Sequence, residues 1–198
     1  REDLERVNRN AFRCRKVVDN LLVFVRRSGE GRFGVRVNDA VQAALDLLQY
    51  RLAKTEDVAL ALELAPDLPE VVGDFQQLAQ VMVNLINNAC DAMSCVPRHR
   101  GARRLRVATS DAGNRVRVVV EDNGPGIPAE HRERLFEPFF TTKEPGKGTG
   151  LGLAICLQIV RAHGGEIRFE TEQGKGTSFT VELPAGREEE LARLARPS

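Results

Sequence analysis

The sequence predicts a two-layer α/β sandwich, in which helices cover a mixed and mostly antiparallel sheet, preceded by one long amphipathic helix. Three observations predict this fold. From Phe33 onward, short segments with strand alternation are interleaved with longer segments of helical periodicity. Most of the predicted strands come in close pairs, which favours antiparallel pairing with the helices grouped on the sheet. The residues before Ser28 instead carry one unbroken helical pattern, so we expect them to form a separate element.

The opening segment, Arg1 to Arg27, carries a heptad pattern. Its apolar residues recur at alternating spacings of three and four, at Leu4, Val7, Ala11, Cys14, Val18, Leu21 and Val25. This stripe is typical of a helix in a bundle. One helix cannot bury its own stripe, so we expect a partner helix from upstream or from a second copy of the chain. We assign residues 1–28 to this helix and residues 29–34, with Gly29 and Gly31, to a linker.

The remaining elements are predicted from period-two alternation for strands and from helical periodicity and capping residues for helices. The first half contains, in chain order, a short strand at Val35 and Val37, a helix capped by Asn38 or Asp39 and running to about Ala53, a half-buried strand from Val58 to Leu64, a short strand at Val71 and Val72, and a helix from Asp74 to about Cys95. The second half contains a hairpin of strands Leu105–Thr109 and Val116–Glu121, a helix from Gly150 to Ala162, and strands Glu166–Thr171 and Ser178–Leu183.

Composition argues against several classes of function. The net charge is +1, from 29 basic and 28 acidic side chains, and the aromatic content is 5% without tryptophan, so we expect no nucleic-acid partner. The four cysteines, Cys14, Cys90, Cys95 and Cys156, form no CxxC pair, which favours free thiols in a cytoplasmic protein. No apolar run approaches the roughly 20 residues of a membrane span. Because the chain opens inside a helical pattern, we expect a fragment, and membrane attachment further upstream stays open.

Two glycine-rich turns carry the strongest functional signal. DNGPGI begins at Asp122, and GKGTGLGLAI begins at Gly146 and runs into an apolar helical pattern. An acidic turn can address a base, and backbone N–H groups at a helix N-terminus can face phosphate. Neither turn reads G-x-x-x-x-G-K-[ST] or G-x-G-x-x-G, so the Walker and Rossmann types of nucleotide site are disfavoured. The sequence therefore predicts a nucleotide pocket of another type.

A polar stripe on the helix from Asp74 is the second signal. At 100° per residue, one narrow face holds Gln80, Asn84, Asn87, Asn88 and Asp91. The opposite side is apolar, with Leu78, Met82, Leu85, Ile86, Ala89 and Met93. Asparagine is a poor interior helix residue, and a simple solvated face usually carries Lys, Glu and Arg instead. Short amide oxygens can instead ligand Mg²⁺ beside substrate phosphates, although a solvated face is the alternative.

These residues resemble the N, G1, F, G2 and G3 boxes of sensor histidine kinases, within the wider GHKL group that includes gyrase, Hsp90 and MutL. The matching segments, in order, are QVMVNLINNACDAM, DNGPGIP, FEPFFTTK, GKGTGLGLAI and GKGTSFTVELP. The resemblance covers about Val35 to Pro184 and implies the Bergerat ATP-binding fold, with a catalytic domain over residues 35–186 and a charged tail over 187–198. It also implies that the first helix is the C-terminal helix of a dimerisation and histidine-phosphotransfer hairpin.

For the base, the resemblance implies that Asp122 accepts a hydrogen bond from the adenine amino group, whereas a simple turn residue is the alternative. A carboxylate accepts from an amino group but repels the carbonyl oxygen of guanine. Further base contacts are implied for the G1 turn at Gly124, Gly126 and Ile127. The hydroxyl of Thr177 in the last box would complete the adenine network, directly or through water.

For the phosphates, the resemblance implies that Asn88 ligands Mg²⁺, with Asn84 one turn earlier as a second polar contact and Asp91 on the same stripe. Lys143 and Lys147 are expected to screen the negative charge of the phosphates. The alternative is that both lysines are merely solvated on the segment that covers the nucleotide. The G2 segment would fold over the triphosphate through Gly146, Gly148, Thr149, Gly150, Leu151 and Gly152. Phe136, Phe139 and Phe140 are expected to anchor this lid by packing rather than to contact the base.

Asn84 and the positions of the histidines distinguish ATP hydrolysis from phosphoryl transfer to a protein. Hydrolysing members of the group carry a glutamate at the position of Asn84, and an amide cannot act as a general base. We therefore expect phosphoryl transfer, with Asn84 and Lys143 as the catalytic candidates. None of His99, His131 and His163 lies on the heptad helix, so we expect the acceptor histidine upstream of Arg1.

The expected partners are ATP or ADP with Mg²⁺, a response-regulator receiver domain, and a second copy through the hairpin helices. Three alternatives remain. A clamp ATPase of the same group is disfavoured by Asn84, and a pseudokinase or scaffold module is disfavoured by the intact boxes. A serine kinase of the anti-sigma type would share the boxes, but the heptad helix argues against it.

Overall fold

The computed structural model describes residues 33–54, 58–94, 102–144 and 148–187, together with Leu191. Several predictions lie outside these residues: the heptad helix over 1–28, most of the linker and charged tail, His99, Gly146 and Lys147. In the described part of the chain, no helix is long and apolar enough to cross a bilayer.

The described elements alternate as predicted. In chain order they are β1 (Phe33–Val35), α1 (Val37–Lys54), β2 (Val58–Leu64), β3 (Val71–Gly73), α2 (Phe75–Ser94), β4 (Arg103–Asp111), β5 (Arg115–Asp122), α3 (Ala129–Arg132), α4 (Gly152–Ala162), β6 (Glu166–Glu172) and β7 (Gly176–Pro184). Five strands form one sheet in the order β2-β4-β5-β7-β6. Only the β2–β4 pair in this sheet is parallel, which follows from the long connection through β3 and α2 between them. The predicted mixed, mostly antiparallel sheet is confirmed, while β1 and β3 pair separately.

One face of the sheet is covered by helices. Helix α2 packs against α1 on one side, against α4 on the other, and against β5 beneath it. The strand register aligns side chains of this inner face in rows across the sheet. One row is Leu62, Val107, Val120, Phe179 and Phe169, and the next is Leu60, Leu105, Asp122, Thr177 and Thr171. The apolar inner face thus ends in a row that turns polar at β5.

Helix α2 begins at a partial capping box. Asp74 accepts the backbone N–H groups of Gln76 and Gln77 at 2.8 and 3.1 Å, and the Gln77 amide donates to the other Asp74 oxygen at 3.1 Å. The Asp74 N–H donates instead to Nε2 of His163 at 3.0 Å. All six apolar residues predicted for one side of this helix are buried. This packing turns the asparagine stripe away from the core.

Three local predictions were wrong. Val37 begins α1 rather than continuing a strand. Asn38 lies inside that helix, and it does not cap it, because its amide donates to the Ala65 carbonyl at 2.7 Å and accepts from the Thr109 hydroxyl at 2.8 Å. Helix α4 begins at Gly152 rather than Gly150, since Gly150 has a left-handed φ of 66°.

Strand β2 lies where the alternation predicts it, but its burial differs from the expected half-buried pattern. Leu60 and Leu62 are 42% and 43% exposed, although their register partners Leu105 and Val107 are buried. The reason is the position of β2 at the edge of the sheet, which alternation alone does not reveal.

Candidate nucleotide-binding site

The sequence assigns one end of the site to the base, and this base end is a buried carboxylate at the end of a central strand. Asp122 is the last residue of β5, and its Cα pairs with that of Thr177 on β7, which is also buried. Gly124 N–H donates to Asp122 Oδ1 at 2.8 Å. Burial raises the pKa of Asp122 to about 6, although hydrogen bonds from the backbone of Gly124 and Thr177 lower it. The ionised carboxylate is therefore a costly group to keep buried and a strong acceptor.

The G1 turn is docked on the turn between β6 and β7. Gly174 N–H donates to the Pro125 carbonyl at 2.7 Å, and Ile127 N–H donates to Thr171 Oγ1 at 2.9 Å. A Cβ on Gly126 would collide with the backbone of Glu172. One backbone hydrogen bond and one bond to the Thr171 hydroxyl therefore hold the G1 turn against β6 and the turn that follows it.

The sequence assigns the other end of the site to the phosphates. This phosphate end lies on the polar stripe of α2, where Asn84, Asn88 and Asp91 are partly exposed. Lys143, from the segment that follows the F box, places Nζ 2.5 Å from Asp91 Oδ2 and 3.5 Å from Asn88 Oδ1. A carboxylate oxygen and an amide oxygen thus already share one cationic group. These are the hard oxygen donors that suit Mg²⁺.

The polar stripe supplies few protein ligands for a magnesium ion. In the described ranges no group of three or more His, Cys, Asp or Glu side chains could hold a metal. Magnesium usually binds through one or two protein oxygens, with substrate phosphates completing its shell. The Asn88 and Asp91 oxygens of the stripe fit this pattern.

Asn84 joins α2 to the start of α4. Its Nδ2 donates to the Gly152 carbonyl at 3.4 Å. Its amide also contacts the thiol of Cys156. Burial raises the pKa of this thiol to about 12, although the hydrogen bond with Asn84 lowers it. An amide that bridges two helices in this way supplies a polar contact and no base.

The aromatic residues of the F box behave differently from one another. Phe136 packs on Phe169 of the inner face, with ring centroids 6.1 Å apart, as predicted for an anchor. Phe140 packs within the same segment, against His131 at 5.6 Å and under the guanidinium of Arg134 at 4.5 Å.

Phe139 contradicts the packing expectation, because its side chain is 66% exposed and its φ is 67°. Gly150 lies against the Phe139 backbone, and a Cβ there would overlap its carbonyl group.

The G2 residues that the structure describes lie at the N-terminus of α4. No side chain of the described residues caps this helix. The first N–H groups of a helix have no acceptor within the helix, and in α4 they point toward the segment that precedes Gly152. Leu151 is buried in the core, so only its backbone faces the site, and its N–H meets Thr149 Oγ1 at 3.4 Å. Gly148 lies beside Thr141 and Lys143.

The sequence, which resembles its family in having a structural histidine at His163, did not identify the partners of this ring. Its Nε2 accepts the Asp74 N–H, so Nδ1 carries the proton and donates to the Ile159 carbonyl at 2.8 Å. A Cβ on Gly73 would lie 2.5 Å from the His163 ring. The ring therefore links the start of α2 to the end of α4, the two helices that carry the phosphate end. Only the glycine and the histidine, 90 positions apart, could have signalled this contact.

The elements and their order define a two-layer α/β domain with helices on one face of a mixed sheet. Residues 73–187 match the family model of histidine kinase-, DNA gyrase B- and HSP90-like ATPases, and the chain belongs to this family. It is 40% identical over 199 residues to the sensor kinase CckA of Brucella abortus (strain 2308), covering 96% of this chain and 21% of CckA. The chain thus spans about a fifth of that relative's length.

Solved structures of histidine kinases share the fold. Full-length ShkA in complex with AMPPNP superposes with a TM-score of 0.71 at 29% identity, over 85% of this chain and 35% of ShkA. Histidine kinase ThkA in complex with the response regulator TrrA gives 0.69 at 28% identity, over 91% of this chain and 49% of ThkA. The chain therefore carries the catalytic domain that sensor histidine kinases share.

Proposed function

We propose that this chain binds ATP with Mg²⁺ and transfers the γ-phosphoryl group to a histidine imidazole outside the chain. Buried Asp122 is the observation that carries this proposal. Burial opposes its ionisation, so a ligand that donates a hydrogen bond to it offsets part of that cost. The adenine amino group is such a donor. A guanine carbonyl at the same place would set two acceptors against each other.

At the phosphate end, Asn88 would ligand Mg²⁺, with Asp91 and Asn84 beside it. The ion would neutralise phosphate charge as the γ-phosphoryl group leaves. Lys143, already within reach of Asn88 and Asp91, would turn its ammonium group to the phosphates, together with Lys147. The N–H groups at the start of α4, from Gly152 onward, would also face phosphate.

Transfer is favoured over hydrolysis because Asn84 supplies no base, and the described histidines are poor acceptors. Both ring nitrogens of His163 are hydrogen-bonded within the fold. His131 packs on Phe140. The acceptor would then lie on the partner helix of the hairpin, and dimerisation through residues 1–28 would bring it to the site. A response-regulator receiver domain would take the phosphoryl group next, and ThkA is a relative seen with such a regulator.

The test is incubation with γ-labelled ATP, with Mg²⁺ or with EDTA. Alone, the chain should bind nucleotide, hydrolyse it slowly and acquire no stable label. With a hairpin domain that carries an acceptor histidine, acid-labile label should appear on that domain. Asp122→Asn and Asn88→Ala should both reduce labelling, and Asn88→Ala should also lose the magnesium dependence of binding.

Two outcomes would contradict the proposal. Rapid release of ADP by the chain alone would favour the clamp ATPases of the family. Stable label on His99, His131 or His163 would show that the acceptor is within the chain.

A further inference from the structure

The two edges of the five-stranded sheet differ in charge. These edges are β2 and β6. Strand β6 reads EIRFETE and carries charged side chains at Glu166, Arg168, Glu170 and Glu172. Strand β2 reads VALALEL, and its only charged residue is Glu63. Because charged side chains on an edge strand oppose pairing with another chain, β6 carries this protection and β2 does not.

Strand β2 has a free backbone edge. In the described part of the chain it pairs with β4 alone, in parallel from Val58 to Leu64. Successive residues of a parallel strand direct their N–H and C=O groups alternately to the two sides, so every second residue of β2 offers both groups at the free edge. The side chains from Ala59 to Glu63 are exposed. The free backbone groups and exposed apolar side chains therefore lie along the same edge.

The one charge on β2 is already compensated within the chain. Glu63 Oε2 accepts hydrogen bonds from Arg106 Nε at 3.0 Å and from Arg106 Nη2 at 2.8 Å. The same guanidinium also reaches Glu121 at 3.3 Å on the next strand. A second strand can thus approach β2 without meeting an unbalanced charge.

The sequence of β2 is complementary to itself in an antiparallel pair. With a two-fold axis at Ala61, each Ala61 lies opposite its counterpart in the second copy. On the inner face, Val58 lies opposite Leu64 and Leu60 opposite Leu62, so every cross-strand pair is apolar. On the opposite face, Glu63 lies opposite an alanine, which is residue 59. This register therefore opposes no like charges.

We propose that β2 pairs antiparallel with β2 of a second copy of this chain, with Ala61 on the two-fold axis. The pairing joins the two five-stranded sheets edge to edge. It covers Leu60 and Leu62, which are 42% and 43% exposed although their partners on β4 are buried. A contact of this length belongs to the small and weak interfaces. The association expected of the heptad helix would raise the local concentration of the second strand.

Disulfide cross-linking of the full chain tests the register. In an antiparallel pair, opposed residues have Cα atoms about 5 Å apart, which a disulfide can span. The two copies of residue 59 would lie about 14 Å apart, because each is displaced by four residues from its counterpart. Ala61→Cys should therefore form linked dimers at least about tenfold faster than Ala59→Cys, the matched control that is also exposed on the same face.

Both variants are made in a background in which Cys14 and Cys95 are replaced by serine, while Cys90 and Cys156 are buried. Mild oxidation is followed by non-reducing gel electrophoresis at several protein concentrations. Circular dichroism and urea unfolding compare each variant with the unaltered chain. If Ala61→Cys does not fold, an equimolar mixture of Leu60→Cys and Leu62→Cys, which the same register opposes, replaces it and should give mixed dimers.

Charge provides a second test. Ala59→Glu, added to Ala61→Cys, would oppose Glu63 of the second copy and should slow cross-linking by about two- to fivefold. Ala59→Lys should not slow it. The net charge of the chain is +1, so general repulsion between copies would give the opposite order. High salt should reduce the difference between the two variants.

Three results would overturn the inference. Equal cross-linking of Ala61→Cys and Ala59→Cys would show that the heptad helix or random collision brings the copies together without pairing of β2. Equal effects of Ala59→Glu and Ala59→Lys would contradict the register. Absence of linked dimers at every concentration, with the fold intact, would show that β2 does not bind a second copy.

Discussion

The proposed base end and the proposed phosphate end of this site are built in different ways. At the base end, Asp122, Thr177 and Thr171 lie in one row across three strands in register, and backbone hydrogen bonds hold the flanking turns. At the phosphate end, Lys143 and Asp91 meet as an ion pair between side chains that are 34% and 30% exposed.

The two constructions have different energetics. A buried carboxylate with backbone donors changes its pKa strongly and is costly to disturb. A partly exposed ion pair contributes only about 0–1 kcal/mol and can reorganise at little cost. We infer that the side chains of the base end keep a fixed geometry, whereas those of the phosphate end change their contacts when a nucleotide binds. Each prediction below tests this difference.

The largest expected effect is on the free energy of unfolding, when a glycine at each end is replaced by alanine. Gly176 has a φ of 129°, and a Cβ there would collide with the Asp122 carbonyl. Gly148 has only flexible side chains in the way, Thr141 Oγ1 at 2.6 Å and Lys143 Cδ at 3.2 Å. Gly176→Ala should therefore lower the free energy of unfolding by roughly 3 kcal/mol or more, and Gly148→Ala by less than about 1 kcal/mol.

Urea unfolding of the two variants and the unaltered chain measures this difference. Gly174→Ala is the control for backbone strain alone, because Gly174 has a φ of 84° but nothing within 4 Å of its Cβ position. Equal destabilisation by Gly176→Ala and Gly148→Ala would show that the two ends are equally rigid.

The second prediction concerns the charge at the base end. The pKa of Asp122 rises from 3.8 to about 6 on folding because of burial. A raised folded pKa means that the stabilising contribution is fully present below pH 3.8 and is lost as the pH rises through about 6. At pH 8 the ionised group then costs roughly 2–3 kcal/mol. Asp122→Asn should therefore stabilise the fold at pH 8 and change it little at pH 4.

The same substitution should weaken ADP binding by about 1–3 kcal/mol, because an acceptor is replaced by a group that also donates. Urea unfolding at the two pH values and an ADP titration at pH 8 measure the two effects. A stability difference that is the same at pH 4 and pH 8 would mean that Asp122 does not titrate between them.

The sequence predicted the parts of this molecule that depend on local chemistry. Glycine turns, the capping residues of α2 and the apolar side of that helix follow from short segments, so Asp122 and Asn88 could be singled out. The contacts of Thr171 and His163 could not be predicted, because they depend on strand register and on distant partners. Thr171 alternates like any strand threonine, and only the register of β6 with β7 and the docked Ile127 give it these contacts. His163 likewise meets Asp74 across 89 positions.

The smallest structural effect is expected at Lys143. Because its ion pair with Asp91 is partly exposed, Lys143→Ala should change the free energy of unfolding by less than about 1 kcal/mol. Nucleotide binding should respond differently. Loss of the ammonium group should weaken ATP more than ADP, since the γ-phosphate of ATP adds charge at the proposed phosphate end. Lys143→Arg should retain much of the affinity because it keeps the positive charge.

Salt provides the control for Lys143, because screening should reduce the difference between Lys143→Ala and the unaltered chain when ionic strength rises from about 0.05 to 0.5 M. Titrations with ATP and ADP at both salt concentrations, alongside urea unfolding, measure the two effects separately. If Lys143→Ala destabilises the fold as strongly as Gly176→Ala, the phosphate end is as rigid as the base end. If Lys143→Ala binds ATP and ADP with unchanged affinity, Lys143 is merely solvated, and another residue must contact the phosphates.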